Sequence, residues 1–150
     1  MKTRDRACRM IASVFYIGYF PVASGTAGSL AALALYFFIR PGLFVMTVVI
    51  VACIVIGFLS SGNAERVFGK KDPSEIVIDE FSGMLVSLFM LPVTLGYVIS
   101  AFLLFRFFDI LKPWPANRLE RLGGGAGIML DDIAAGIYAN IILQVISRII

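Results

Sequence analysis

Apolar residues dominate this chain, and they fall into long stretches that carry no charge. The charge-free runs are Met10–Ile39, Pro41–Ala64, Phe81–Phe105 and Ile133–Ser147. A helix needs about 20 apolar residues to cross a bilayer, so the first three runs are long enough and the last is short. The pattern therefore predicts helices that cross or enter a membrane.

Proline, glycine and polar residues divide these runs into separate predicted helices. Pro21 and the glycines after it interrupt the first run, so we expect a short helix over 9–20, a turn, and a second helix over 29–40. Thr26 and Ser29 are the candidate caps of that second helix. Further helices are predicted over 43–60, 75–91, 97–111 and 131–150, with a polar loop over 61–74. The expected fold is one all-α domain over residues 1–150, a polytopic membrane helical bundle with about four to five spans or partial spans and a broken N-terminal helix.

Composition and charge strengthen the membrane assignment. Hydrophobic residues make up 59% of the chain, charged residues 15%, and the mean hydropathy is +0.92, whereas a soluble domain has about 45–50% apolar and about 25% charged residues. Of the 23 charged residues, 21 lie in the clusters Lys2–Arg9, Glu65–Glu80 and Arg106–Asp132. Basic residues in each cluster predict that all three lie on the cytoplasmic side. No stretch combines a dense basic run with exposed aromatic residues, so nucleic acid is not an expected partner.

Two groups of charged residues beside apolar runs are candidates for chemistry. Asp79 and Glu80 are adjacent acids directly before an apolar run. Acids at a helix start can simply complement the helix dipole, but ionisable groups at membrane depth are costly and usually functional. Arg106, Asp109 and Lys112 are spaced three residues apart, which places them along one helix face. They either neutralise one another as ion pairs or bind a metal and an anionic group.

Two glycine-rich stretches and a second pair of acids complete the candidates. Asp131 and Asp132 follow the glycine run 123–127, and adjacent carboxylates repel unless a cation neutralises them. Mg²⁺ prefers carboxylate oxygens, so a metal site is favoured over helix capping. The glycine run lacks the full spacing of a nucleotide-binding loop and is equally compatible with a flexible turn. Residues 25–29 could offer helix amides to a phosphate, although a break between two helices is the simpler interpretation.

Missing residue types narrow the chemistry. The chain has no histidine, and neither Cys8 nor Cys53 is followed six residues later by arginine. Phosphohistidine, imidazole acid–base and cysteine-phosphatase mechanisms are therefore excluded. The remaining carboxylates and cations suit metal-assisted hydrolysis of a phosphomonoester. A small ion-coupled transporter would also use intramembrane acids, and charges that only pair with each other would suit a structural subunit. Polar residues are nearly missing from the middle of 43–59 and 81–105, which favours the enzyme.

Four motifs occur together in one order along the chain. They are GTAGSL at 25–30, IDEFSGM at 78–84, FRFFDILKPWP at 105–115 and GGAGIMLDDIAAG at 124–136. On these motifs the chain resembles phosphatidylglycerophosphatase A, a family of bacterial inner-membrane lipid phosphatases. The resemblance runs from about Gly18 to Tyr138. Ser24 is a departure, because the family pattern is expected to carry proline before the Gly-Thr pair.

The resemblance implies Mg²⁺-dependent removal of the terminal phosphate from phosphatidylglycerol phosphate at the cytoplasmic face of the bacterial inner membrane. A phospholipid substrate and the bilayer are then the expected partners. The catalytic carboxylates are expected to be Asp79, Asp109 and Asp132. The expected metal ligands are Asp79, Glu80, Asp131 and Asp132, and the expected phosphate-binding residues are Thr26, Ser29, Arg106 and Lys112. Attack by water and attack by a carboxylate both remain open.

Overall fold

The computed structural model describes residues 3–149 and the side chains of residues 4–149. The helices are α1 (Thr3–Ala12), α2 (Ser24–Ile39), α3 (Leu43–Phe68), α4 (Ile78–Ser87), α5 (Leu95–Leu111), α6 (Ala116–Leu119) and α7 (Gly124–Ile149), with a 3-10 turn at Ile17–Tyr19. Residues 3–149 contain no β-strand, so the all-α prediction is confirmed. Lys2 of the first charge cluster and Ile150 of the last predicted helix lie outside the described residues.

Two helices, α3 and α7, are long and apolar enough to cross a membrane. In the most apolar stretch of α3 only 22% of the residues are buried, and exposed side chains such as Phe44 and Leu59 leave a large apolar surface. Apolar surface of that extent marks contact with a membrane or a partner. Helices α2, α5 and α4 have 16, 17 and 10 residues. These lengths agree with the predicted mixture of spans and partial spans.

The short helix α4 lies in the middle of the bundle, where it contacts α2, α3, α5 and α7. It ends inside the apolar region, so its last carbonyl groups need partners other than water. Asn140 donates hydrogen bonds to the carbonyls of Ser87 (3.1 Å) and Phe89 (2.7 Å), and Gln144 donates to Phe89 (3.1 Å). These two amide side chains of α7 therefore cap the end of α4.

Glycines allow α4 and α7 to approach closely, as small residues do between membrane helices. A Cβ atom built on Gly83 would lie 2.6 Å from the carbonyl oxygen of Asp132, and one on Gly136 would collide with the carbonyl oxygen of Gly83. This crossing presses the acid-bearing start of α4 against the first half of α7.

The N-terminal helix is broken as predicted, but the predicted boundaries are wrong. Helix α1 ends at Ala12, and the break covers residues 13–23, where Val14, Phe15, Tyr16 and Ala23 have positive φ. Residues 25–29 are not a break, because they form the first turns of α2. Proline lies before this stretch rather than inside it, and glycine is tolerated at a helix start.

Three other predicted boundaries are also corrected. Helix α3 continues through 61–68, where the small residues of the predicted polar loop pack on α7; Gly62, for example, faces Gly125. Helix α4 covers only Ile78–Ser87 of the predicted 75–91. Helix α7 begins at Gly124, so the glycine run after Gly123 is helical and is not a flexible turn. Asp131 and Asp132 therefore lie two turns inside α7 and do not cap it.

Candidate active site

The charged segments of the chain meet at one end of the bundle, where α2, α4 and α7 begin and α3 and α5 end. A cavity of about 220 Å³ opens there among largely polar side chains. Its lining residues are Ser24, Asp72, Pro73, Ser74, Ile76, Asp79, Glu80, Asp109, Lys112, Ile128, Asp131 and Asp132. The structure thus brings all five predicted carboxylates into one cavity.

Three of these carboxylates converge closely. Asp79 and Glu80 lie in the first turn of α4, Asp132 lies on α7, and one oxygen atom from each falls within 4.8 Å of the other two. The side chains are withdrawn from solvent, since Asp79 is 7% and Asp132 4% exposed. Oδ1 of Asp79, Oε2 of Glu80 and Oδ2 of Asp132 are buried without a hydrogen-bond partner.

This donor set fits a divalent cation. Ionised carboxylates this close together repel one another, and a bound cation would relieve that repulsion. Hard cations such as Mg²⁺ bind carboxylate oxygens in preference to other protein ligands. Among the described residues, Asp79, Glu80 and Asp132 form a group that could hold a metal ion. We call these three residues the acid cluster.

The glycine motif at the start of α2 makes room for the acid cluster. A Cβ atom on Gly25 would collide with Oε1 of Glu80 and would lie 3.4 Å from Nη1 of Arg106. Only a residue without a side chain lets this backbone approach the Glu80 carboxylate so closely. The start of α2 therefore faces a carboxylate of the protein itself.

An ion pair on α5 lies beside the site; Asp109 lines the cavity, whereas Arg106 is not among the described residues that line it. Nη1 of Arg106 lies 2.6 Å from Oδ2 of Asp109, with the two side chains 21% and 13% exposed. The residues are separated by three positions, so they share a face of α5 as the sequence predicts. Arg106 thereby places a positive charge beside the acid cluster.

Lys112 occupies the rim of the cavity just beyond the end of α5. Its backbone is left-handed (φ 44°) and Pro113 follows, so the helix cannot continue. The side chain turns to α7 and α6, where Nζ lies 2.7 Å from Oδ2 of Asp131 and 2.8 Å from Oε1 of Glu120. Burial alone would lower the pKa of Lys112, but the hydrogen bonds from Nζ to Asp131 and Glu120 outweigh it and raise the pKa. Lys112 is therefore a permanent cation at neutral pH.

The remaining predicted site residues occupy different positions from those expected. Asp131 lies outside the acid cluster and is held by Lys112, although its Oδ1 atom is buried without a hydrogen bond. Thr26 and Ser29 are not among the described residues that line the cavity. The hydroxyl of Ser29 donates to the carbonyl of Gly25 (2.9 Å), and Ala23 rather than either hydroxyl residue occupies the N-cap of α2. The role of these residues in binding metal or phosphate stays a prediction.

Sequence reasoning missed four polar residues at the site, namely Ser24, Asp72, Ser74 and Glu120. Glu120 shares Lys112 with Asp131, and Ser24 lines the cavity while its hydroxyl donates to the carbonyl of Ser74 (2.6 Å). Glu120 is an isolated acid among basic residues, which carries no signal of a site. Ser24 stands where the family pattern predicts proline, and this departure carries no signal of a site.

Comparison with known proteins gives a consistent assignment. The family model described as phosphatidylglycerophosphatase A matches residues 10–147. A Bacteroides thetaiotaomicron protein named "Putative phosphatidylinositol-3-phosphatase" is 37% identical, covering 94% of each chain. Proteins named phosphatidylglycerophosphatase A from Escherichia coli and Haemophilus influenzae are 37% and 36% identical, covering 93% and 92% of this chain and 83% and 87% of their own. No solved structure matches the chain. These matches confirm the resemblance seen in the motifs and the prediction of a phosphatase enzyme.

Proposed function

This chain belongs to the phosphatidylglycerophosphatase A family, and on that premise we propose that it hydrolyses phosphatidylglycerol phosphate to phosphatidylglycerol and phosphate with Mg²⁺ as cofactor. The acid cluster is the observation that carries the proposal. Two buried carboxylates, Asp79 and Asp132, and the half-buried Glu80 each have a buried oxygen without a partner, and they stand beside two cations at the end of a bundle whose sides are apolar. A lipid phosphomonoester has the matching division into a charged end and an apolar body.

The carboxylates and the cations at the cavity would bind different groups. Asp79, Glu80 and Asp132 would hold Mg²⁺, which when bound would supply positive charge against the oxygens of the phosphoryl group. Arg106, beside the acid cluster, and Lys112, at the rim of the cavity, would attract and orient the phosphate. Each cation already has a carboxylate partner, which fixes its position before the lipid arrives. Such prior positioning reduces the cost of reaching the reactive geometry.

A second candidate substrate is suggested by the name of the Bacteroides relative. Phosphatidylinositol 3-phosphate is also a lipid phosphomonoester, and the acid cluster alone does not distinguish the two headgroups. The family model and the two relatives named phosphatidylglycerophosphatase A favour phosphatidylglycerol phosphate.

The test is phosphate release by the purified protein in detergent from each lipid, with Mg²⁺ and with EDTA. We expect Mg²⁺-dependent release from phosphatidylglycerol phosphate, and a fall to under about a tenth in Asp79→Asn, which loses a charged ligand. Asp5→Asn on α1 makes the same chemical change far along the chain from the acid cluster and should retain activity. Release from the inositol lipid alone would contradict the substrate proposal, and release from neither would contradict the phosphatase proposal.

The cavity is proposed to face the cytoplasm, with the chain crossing the bacterial inner membrane several times. The charged segments at the cavity end carry most of the lysines and arginines, which favours the cytoplasmic side. In a background lacking Cys8 and Cys53, Lys70→Cys and Asn117→Cys should react with membrane-impermeant maleimide only in opened cells. Gly42→Cys, at the opposite end of α3, should react from outside. Labelling of position 117 in intact cells would contradict the orientation.

A further inference from the structure

An apolar groove lies beside the cavity, between the end of α5 and the middle of α7. It has a volume of about 300 Å³ and is lined by Phe108, Pro113, Trp114, Tyr138, Ile141 and Ile142. Trp114 is 68% and Ile141 55% exposed, so the groove is open along one side. A volume of this size is in the range of small-molecule sites.

The walls of the groove are fixed by specific contacts. The rings of Phe108 and Tyr138 meet edge to face with their centroids 5.5 Å apart. The hydroxyl of Tyr138 donates a hydrogen bond to the carbonyl of Trp114 (3.1 Å). That bond ties the segment after α5 to α7 and leaves the groove an apolar lining.

The groove and the cavity are two sides of the same stretch of chain. Phe108 lines the groove while its neighbour Asp109 lines the cavity; Lys112 lines the cavity while the next two residues, Pro113 and Trp114, line the groove. A molecule with its phosphate between Asp109 and Lys112 would meet apolar surface immediately beyond them. Tryptophan also favours the membrane interface, where one end of a ligand is wet and the other apolar.

The geometry points to this groove as the seat of one acyl chain of the phospholipid whose phosphate enters the cavity. The inference rests on the proposed function and adds to it a site for the lipid body. Each methylene group moved from water to an apolar surface strengthens binding by about fourfold. The groove should therefore make the enzyme prefer long acyl chains over short ones.

The test compares kcat/KM for phosphatidylglycerol phosphate carrying palmitoyl chains with that for the same headgroup on hexanoyl chains, both in detergent. Ile141→Trp fills the groove from an exposed position, and displacing about two methylene groups should lower the palmitoyl-to-hexanoyl ratio about 15-fold. Val55→Trp, at a similarly exposed position on α3 (52%), is the matched control and should leave the ratio unchanged. A photoreactive palmitoyl chain should also label the 138–142 segment.

Several results would overturn the inference. An unchanged ratio in Ile141→Trp, an equal loss with both lipids, or a change in oligomeric state with the ratio preserved would each show that no acyl chain occupies the groove. Labelling confined to other helices would show the same. Failure of the wild-type protein to release phosphate from either lipid would instead contradict the proposed function, so the two failures are distinguishable.

Discussion

Replacing Gly83 with alanine would perturb the helix crossing that brings the acid cluster together. The added Cβ atom would lie 2.6 Å from the carbonyl oxygen of Asp132 and 2.7 Å from Cε2 of Phe105. To restore an ordinary contact of 3.4 Å, α4 and α7 would have to separate by about 0.8 Å. Asp79 and Glu80 would move with α4, away from Asp132.

Stability and activity should respond very differently to this substitution. Overpacking costs about 1–3 kcal/mol, but alanine is about 1 kcal/mol better than glycine within a helix. The free energy of unfolding should therefore fall by only about 0–2 kcal/mol. A displacement of about 1 Å at reacting groups costs about 100-fold in rate, so kcat for phosphate release should fall at least about tenfold.

The assay measures thermal unfolding in detergent together with kcat at saturating Mg²⁺. Gly96→Ala is the matched control: Gly96 lies in the first turn of α5, and a Cβ atom there meets no atom within 4 Å. It should leave kcat unchanged. If Gly83→Ala kept more than half of the wild-type kcat, the close crossing of α4 and α7 would not set the geometry of the site.

Three further predictions concern the cation and the capped helix. Mg²⁺ should raise the melting temperature, because a cation at 100 times its dissociation constant stabilises the folded protein by about 2.7 kcal/mol. Asp132→Asn should shrink that rise in melting temperature, and identical melting curves in Mg²⁺ and EDTA would exclude a bound cation. Gly25→Ala should displace the Glu80 carboxylate. It should reduce the rise in melting temperature caused by Mg²⁺ more than it lowers the melting temperature in EDTA, and equal effects would show a general packing defect. Asn140→Leu leaves the carbonyl of Ser87 unpaired and that of Phe89 with Gln144 alone, and should cost about 1–3 kcal/mol in unfolding measurements. A change as small as that of Ser147→Ala on the same helix would show that water caps α4.

The distribution of charge predicted the arrangement of the bundle better than the local sequence predicted its helix ends. Apolar runs confine the charged segments to one end of the bundle, which brings Asp79, Asp109 and Asp132 to one level even though Asp132 lies two turns inside α7. The helix ends depended on packing that is invisible in one sequence. Gly25, Gly62 and Gly125 lie within helices where α4, α7 and α3, respectively, pack against them, whereas in isolation glycines at these positions indicate turns.

The side-chain pairing within the site was only partly predictable. The spacing of Arg106 and Asp109 predicted that both lie on one helix face, and their ion pair is one of the two alternatives that the spacing left open. Lys112 was expected on the same face, but Pro113 ends α5 and turns the lysine to α7, where it takes up Asp131. The sequence treats Asp131 and Asp132 alike as adjacent acids, and only the orientation of α7 separates them.

The most direct test of the central claim is to measure cation binding and catalysis on the same protein. Mn²⁺ accepts the same oxygen ligands as Mg²⁺, and its paramagnetism lets bound and free ions be counted. The wild-type protein should bind Mn²⁺ saturably, with half-saturation at the concentration that gives half-maximal phosphate release, and Asp79→Asn and Asp132→Asn should lose both properties together. Full activity in EDTA, or undiminished Mn²⁺ binding by both variants, would contradict the assignment of the acid cluster as the catalytic cation site.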